Sequence, residues 1–429
     1  MSTSPRARSP VDSGALAPPP VLDLRDRFVT PPSPAAELRA FTHGLMPRTV
    51  PALMAGFCED WAERGVDAWN RVPDRWGLGH DTGWWSMPED LADAYVAPML
   101  AAPAGTCVLQ PNVHWTVQAL LSCDGPFEGR DEVVMTEGEF PSVRHSVQRW
   151  AGLRDLRPVD VSANADWAVD LDAIADAITD RTAWVIVSHV GFATGEVIPD
   201  ADLRRLADAA HARGALLAVD GYHATASLPQ DVEAIGADVY FGGLLKEACG
   251  SSGNAYLYVR PGLDLRPRLA GWFADAEPFA FAPAPADHPE VRRRFLGGTT
   301  AVASMYHAVE GLRILLDVGI DAVRADTLAK GARGIERADA LGLPLRSPRE
   351  AARRGAMVVF EIDAADRLVR WLKTQDVYVD ARRGRLLRFS PFVWNPVEDV
   401  DRLFDAVEEA LATGAHRELP EIDEGGPVT

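Results

Sequence analysis

Lysine is nearly absent from this chain of 429 residues: Lys246, Lys330 and Lys373 are the only three, and every other basic side chain is arginine. Chemistry that needs a side-chain primary amine is therefore confined to three positions. Cysteine is scarce as well. Cys58, Cys107, Cys123 and Cys249 lie far apart with no CxxC spacing, which argues against a disulfide framework or a zinc ribbon and makes a reducing cytoplasm the expected location. No run of about 18 apolar residues occurs, so no membrane-spanning helix is expected. Positive charge is in deficit, with 43 basic against 62 acidic side chains and a formal net charge of −19, which excludes nucleic-acid binding through clustered cations. The first twenty residues are rich in Pro and Ser and lack an apolar signal-peptide core, so residues 1–20 read as a disordered tail.

What remains is ordinary globular composition, 47% hydrophobic and 24% charged, long enough for a large domain with a smaller companion. Residues 21–87 mix short amphipathic stretches with the aromatic run DAWNRVPDRWGLGHDTGWW and form an N-terminal segment. From 88 to 300 helices and strands alternate: DLADAYVAPMLAA as helix, TCVLQ as strand, PNVHWTVQALLSC as a helix opened by Pro111, then the strands EVVMT, TAWVIVSHV, ALLAVD and ADVYFGG. Such alternation predicts an α/β fold with a mostly parallel sheet, whose ligands sit at the carboxyl ends of the strands. Residues 301–415 read as a smaller α+β domain that opens with a long helix from Ala301 to Leu316, and 416–429 as a frayed acidic tail.

The chemistry concentrates in ALLAVDGYHATASLPQDVEAIGADVYFGGLLKEACG. Asp220 ends one apolar strand, and Lys246 follows the next after Gly-Gly-Leu-Leu. An amine in apolar surroundings has a lowered pKa and becomes a nucleophile toward carbonyls. Lys330 and Lys373 fall in arginine-flanked helical patterns and read as solvent-facing. A carboxylate and an amine at adjacent strand ends suit pyridoxal phosphate: the amine bonds the aldehyde and the carboxylate keeps the pyridine nitrogen protonated. The turn Leu109-Gln110-Pro111-Asn112 before a helix offers backbone donors to the phosphate. Phe140, after the EVVMTEGE segment, is placed to cover the ring.

In order and separation, GHDTGWW, PNVHW, EGEFPS, SHVGFATG, VDGYHA, the Lys246 turn, AGWFADAEPFAF, FLGGTT and LLRFSPFVWN resemble the class V branch of the fold type I pyridoxal phosphate enzymes, and within it the kynureninases. The resemblance spans roughly nine tenths of the chain, from about Leu22 to Leu411. It implies a fold type I architecture, pyridoxal 5′-phosphate as cofactor, and an amino-acid substrate. Position by position it implies Lys246 as the Schiff-base lysine, Asp220 as the pyridinium partner, His223 as a histidine supporting the pocket, and Phe140 as the stacking aromatic. Leu109 and Gln110 fall at the phosphate turn. Trp272 and Thr299 correspond to residues that reach the phosphate from the neighbouring subunit of a homodimer. Arg388 matches the arginine that grips the substrate α-carboxylate, where a planar bidentate donor is required. His80 and His43 match substrate-side positions.

Departures from the kynureninase pattern cluster around phosphate and substrate. The tyrosine that precedes the Schiff-base lysine is Leu245 here, which has no proton to give. An acidic residue after the stacking aromatic is Val143, the threonine at the phosphate turn is Gln110, and an Asn-Ser pair near the N-terminus reads Thr42-His43. The expected activity is hydrolytic Cβ–Cγ cleavage of a kynurenine-type substrate. The alternative is a diverged class V enzyme: an aminotransferase, a β-eliminating C–S lyase or a decarboxylating, oxidative deaminase. A cofactor-binding protein without catalysis is a third reading, which no appended DNA-binding module supports.

Overall fold

The computed structural model describes residues 22–32, 35–164 and 167–420. The tail expected over 1–20 and the last nine residues of the acidic stretch lie outside them. Within that stretch, Ala415–Glu418 form a turn of 3-10 helix whose His416 is buried, so the chain stays packed beyond the residue where fraying was expected.

In chain order the strands are β1 (Ala36–Glu37), β2 (Cys107–Gln110), β3 (Glu132–Thr136), β4 (Arg157–Val161), β5 (Thr182–Ser188), β6 (Leu216–Asp220), β7 (Val239–Gly243), β8 (Ala255–Val259), β9 (Val358–Glu361), β10 (Val377–Tyr378), β11 (Asp380–Arg382) and β12 (Leu386–Phe389). Seven of them form the central sheet in the order β2-β8-β7-β6-β5-β3-β4, with β8 antiparallel to both neighbours and every other pairing parallel. The strands alternate between two apolar layers. Val134, Val185, Val187, Leu217 and Val219 join one core, while Val133, Met135, Trp184, Ile186 and Ala218 join the other. Burial on both faces explains why these strands are continuous apolar runs rather than in-out alternations.

A second, antiparallel sheet β11-β12-β9 packs with the helices Ile320–Ala340, Ala365–Thr374 and Val397–Thr413 around a separate core. The N-terminal segment touches both bodies: β1 pairs in parallel with β10, whereas Phe28, Trp76 and Trp84 are buried in the larger core. The helix expected from Ala301 to Leu316 is two helices, Val302–Ala308 and Glu310–Val318, and both pack into the core of the large sheet. The helix that follows, Ile320–Ala340, spans both cores, with Val323 in the larger one and Ile335 and Ala338 in the smaller. Among the described residues no helix is long and apolar enough to cross a membrane.

Candidate active site

Parallel strands β5, β6 and β7 end side by side, with Ser188 in register with Asp220 and Asp220 with Phe241. Over these ends opens a cavity of about 370 Å³, walled by Phe41, Thr42, Asn112, Val113, His114, Phe140, Ser188, Phe192, Asp220, Tyr222, His223, Leu245, Lys246, Arg382 and Arg388 among others. A volume of that order accommodates a cofactor-sized ligand. Both bodies and the N-terminal segment contribute to it.

Lys246 follows β7 through Leu244-Leu245 and turns back under the sheet edge. Its Nζ lies 2.8 Å from His223 Nε2, 4.4 Å from the centroid of the Tyr222 ring and 5.7 Å from that of Phe140. Burial lowers the ammonium pKa, with Glu247 and Asp220 opposing the shift. The His223 imidazole is pushed well below its usual value, by burial first and then by the charges of Lys246 and Arg388, so it is neutral and its Nε2 accepts from the lysine. Asp220 accepts from the Tyr222 backbone N–H at 2.9 Å, and burial raises its carboxyl to about 6.

One residue before Phe140 stands Glu139, which sequence reasoning passed over. It is buried, accepts from Thr136 Oγ1 at 2.8 Å and from the Ser188 N–H at 3.1 Å, and takes a further hydrogen bond from the Ser188 hydroxyl. Burial raises its carboxyl to about 7, and the nearby Asp220 adds to the rise. Phe140 itself is 39% exposed toward the cavity and meets Phe192 edge-on at 5.2 Å.

Arg388, 1% exposed on β12, enters from the second body. Its Nε and Nη2 donate to the two oxygens of Asp380 at 2.7 and 2.8 Å, and Nη1 donates to the Phe192 carbonyl at 3.0 Å. Cross-strand register explains this: Asp380 on β11 pairs directly with Arg388. Arg382, two residues on and hence on the same face, joins Asp380 Oδ2 at 2.9 Å and also lines the cavity. Neither Asp380 nor Arg382 was singled out in the sequence, although the hairpin DARRGRLLR with Gly384 at its turn carries the signal.

The remaining expected site residues lie elsewhere. Leu109 and Gln110 are on β2 and line a different cavity of about 230 Å³ together with Thr299; the Gln110 side-chain oxygen and nitrogen are buried there without partners. From that turn the residues that face Lys246 are Asn112, Val113 and His114. Asn112 caps the helix Val113–Leu121 by accepting from Trp115 N–H at 2.7 Å, which leaves the first backbone N–H groups of that helix directed at its N-terminal end. Trp272 is 42% exposed and stacks on Phe281, outside the Lys246 cavity. His43 is exposed, and His80 sits on an exposed loop with Nδ1 at 3.2 Å from Leu78 O; neither lines the cavity of its own chain. Val143 is buried on the helix Pro141–Arg154, facing the core. Lys330, expected in solvent, is fully buried against Asp326 at 2.7 Å, while Lys373 is exposed.

These groups fit pyridoxal phosphate. A buried carboxyl stands at a strand end, an amine of lowered pKa lies beside it, an aromatic ring flanks the amine, and a helix N-terminus opens on the same cavity for a dianion. The architecture is that of solved pyridoxal phosphate enzymes: the cysteine desulfurase CsdA of Escherichia coli aligns with TM-score 0.74 at 20% identity over 91% of this chain and 98% of its own. The cystine C–S lyase C-DES aligns with TM-score 0.73 at 18% identity over 87% and 97%. The protein has the fold type I architecture of these structures.

More narrowly, residues 116–403 match the aminotransferase class-V family, and the chain belongs to it. Among its relatives are an uncharacterized aminotransferase, YcbU, of Bacillus subtilis, 29% identical over 75% of this chain and 82% of that protein. Kynureninases of Burkholderia pseudomallei are 26% identical over 90% of this chain and 93% of theirs, and that of Pseudomonas fluorescens is 28% identical over 82% and 84%.

Proposed function

We propose that the protein hydrolyses the Cβ–Cγ bond of a kynurenine-type amino acid. The observation that carries this is the lining of the cavity, in which contacts run from Lys246 to the Phe140 ring, from Phe140 to Phe192, and from Phe192 and Phe41 to Arg388. An α-carboxylate and an aromatic side chain find complementary walls in that order. Kynureninase relatives that span nine tenths of the chain support the same reading.

When bound, the cofactor supplies an electron sink for carbanion chemistry at the substrate α-carbon. Lys246 would hold it through its aldehyde, and the lysine amine would carry protons at the substrate α-carbon. Asp220, whose carboxyl gains from a cationic neighbour, would hold the pyridine nitrogen, and Ser188 with Glu139 would brace the floor beside it. Phe140 would lie against the cofactor's ring, and the N–H groups beginning the helix at Val113 would hold its phosphate. Leu109 and Gln110, which face another cavity, are left out of that role. Arg388 binds the α-carboxylate through the edge that Asp380 does not occupy, and Asp380 keeps the guanidinium from rotating. The active form is a homodimer, in which Trp272 and Thr299 reach the partner's site; the exposed cluster of Trp272, Phe279 and Phe281 supports an interface there.

A second reading rests on Leu245, which gives the cavity an apolar group where kynureninases carry a phenol: transamination, β-elimination or decarboxylating oxidation of another amino acid. Incubation with L-kynurenine or its 3-hydroxy form should release an anthranilate, read by its fluorescence, together with alanine, and Lys246→Ala should abolish it. No anthranilate, with pyruvate or another keto acid formed from a panel of amino acids, establishes the second reading instead.

A further inference from the structure

Tyr222 has no part in the roles above, yet its ring lies nearer to the lysine than that of Phe140, at 4.4 against 5.7 Å. It follows Asp220-Gly221 at the end of β6, and its backbone N–H is the one that donates to Asp220, so the phenol is tied to the floor of the site. The space for the ring exists because residue 243 is glycine: a Cβ there would stand 2.2 Å from Tyr222 Cζ and 2.5 Å from Oη. Its hydroxyl has no hydrogen-bond partner among the described residues, and burial, with Asp220 and Glu247 adding to it, raises the phenol pKa, so it stays protonated. What Tyr222 offers Lys246 is its face, at 4.4 Å. On another side the neutral His223 Nε2 accepts from the same nitrogen at 2.8 Å, which places the imidazole proton on Nδ1.

A π face and a neutral acceptor together make a seat for an ammonium group. We propose that Tyr222 and His223 form the resting place of the Lys246 side chain once its nitrogen, free of the cofactor, has taken up a proton, holding the ammonium beside Asp220 until that proton is returned. The proposal rests on Lys246 being the residue that bonds the aldehyde. Once an incoming amino acid has displaced that bond, the free lysine must neither swing out of the cavity nor lose its proton to bulk water before returning it. The seat meets both needs without a full counter-ion. Around Lys246 stand Asp220 and Glu247, which favour the ammonium, and Arg388 and Arg382, which oppose it. The ring and the imidazole act against burial and the two guanidiniums. Tyr222 is thus a positioning residue, and Gly243 is the residue that admits it.

The scarcity of lysine makes the test direct. In the full-length chain freed of cofactor, competitive acetylation followed by peptide mass spectrometry reports the titration of each lysine, with exposed Lys373 as internal control. Tyr222→Leu, which keeps bulk and removes the π face, should lower the pKa of Lys246 by about half to one unit, as expected for a partly desolvated cation–π contact. Tyr222→Phe should leave it unchanged, since the face and not the hydroxyl is used. The same Leu variant should then take up pyridoxal phosphate about two- to fivefold faster near neutral pH, because the amine, lowered to about 8 in wild type, is already partly unprotonated there; a merely damaged pocket would load more slowly. Should Tyr222→Leu not fold, Gly243→Ala displaces the ring from the opposite side and should give the same shift. An unchanged Lys246 titration in the Leu or Ala variant, or an equal shift in Tyr222→Phe, overturns the proposal. A chain that never acquires the cofactor's absorbance instead overturns the role of Lys246 and leaves the titration result standing.

Discussion

Glu139 shows how a single buried carboxyl sets a pH dependence. Its carboxyl rises from 4.5 to about 7 because burial outweighs three hydrogen bonds. A folded-state pKa above the unfolded value means that the folded chain binds the extra proton, so the associated stability is complete below about 4.5 and is lost as pH rises through about 7. His223, depressed in the fold, has the opposite slope in this range, so the total curve mixes the two signs. The difference between wild type and Glu139→Gln isolates the carboxyl. In thermal or urea unfolding of the cofactor-free chain, wild type should lose stability relative to the Gln variant as pH rises from about 4.5 to about 7 and no further above it; a constant difference across that range would mean that Glu139 ionises normally. At this scale the sequence located those residues that a strand end brings to the cavity. Asp220 and Lys246 each stand where a parallel strand stops, and Arg388 lies in an apolar strand where a charge needs a reason. Glu139, Asp380 and Arg382 were not legible, because their partners Ser188 and Arg388 are fixed by strand register. Tyr222 was hidden by the glycine opposite it, which no local pattern connects to it.

At the level of elements, the buried parallel strands β3, β5, β6 and β7 were read from their apolar runs, while β4 and β8 were missed. β4 is the half-exposed edge strand RPVDV, which lacks the apolar signal of its neighbours. The phosphate turn illustrates a subtler error. Leu109 and Gln110 complete β2 and line the cavity that Thr299 also lines; the helix begins only after Asn112, its cap. The capping residue, and not the strand residue before it, therefore decides where the free N–H groups aim. Asn112→Ala should lower the stability of the cofactor-free chain by about 1 kcal/mol. It should also weaken cofactor binding several-fold, read by equilibrium titration of the pyridoxal absorbance, whereas Gln110→Ala should leave that affinity unchanged. Weakening by Gln110→Ala with none from Asn112→Ala would return the phosphate to the strand end.

For the molecule as a whole, Lys330 is the joint between its parts. Its ammonium lies fully buried, bonded to Asp326 one turn earlier, to the Leu22 carbonyl at the start of the described chain and to the Phe392 carbonyl at 3.1 Å each. Asp326 accepts in turn from the Leu22 N–H at 2.8 Å. The pair thus ties the N-terminal segment and the segment following β12, which carries Arg388, to the helix Ile320–Ala340. Helical spacing alone gave no warning of this, since an arginine-flanked lysine on a helix has the pattern of a solvated face; the burial comes from two distant segments that close over it. A buried ion pair contributes little over an apolar pair of the same volume, but removal of one member leaves a charge without compensation. Asp326→Asn should therefore cost about 3 to 5 kcal/mol in unfolding free energy. Lys330→Met combined with Asp326→Leu should recover most of that loss, because the carbonyls of Leu22 and Phe392 then forgo a donor but no charge is stranded. If Asp326→Asn is instead neutral, the ammonium is held by the two carbonyls alone, and the N-terminal segment is joined to the second body by β1 pairing with β10 and not by this lysine.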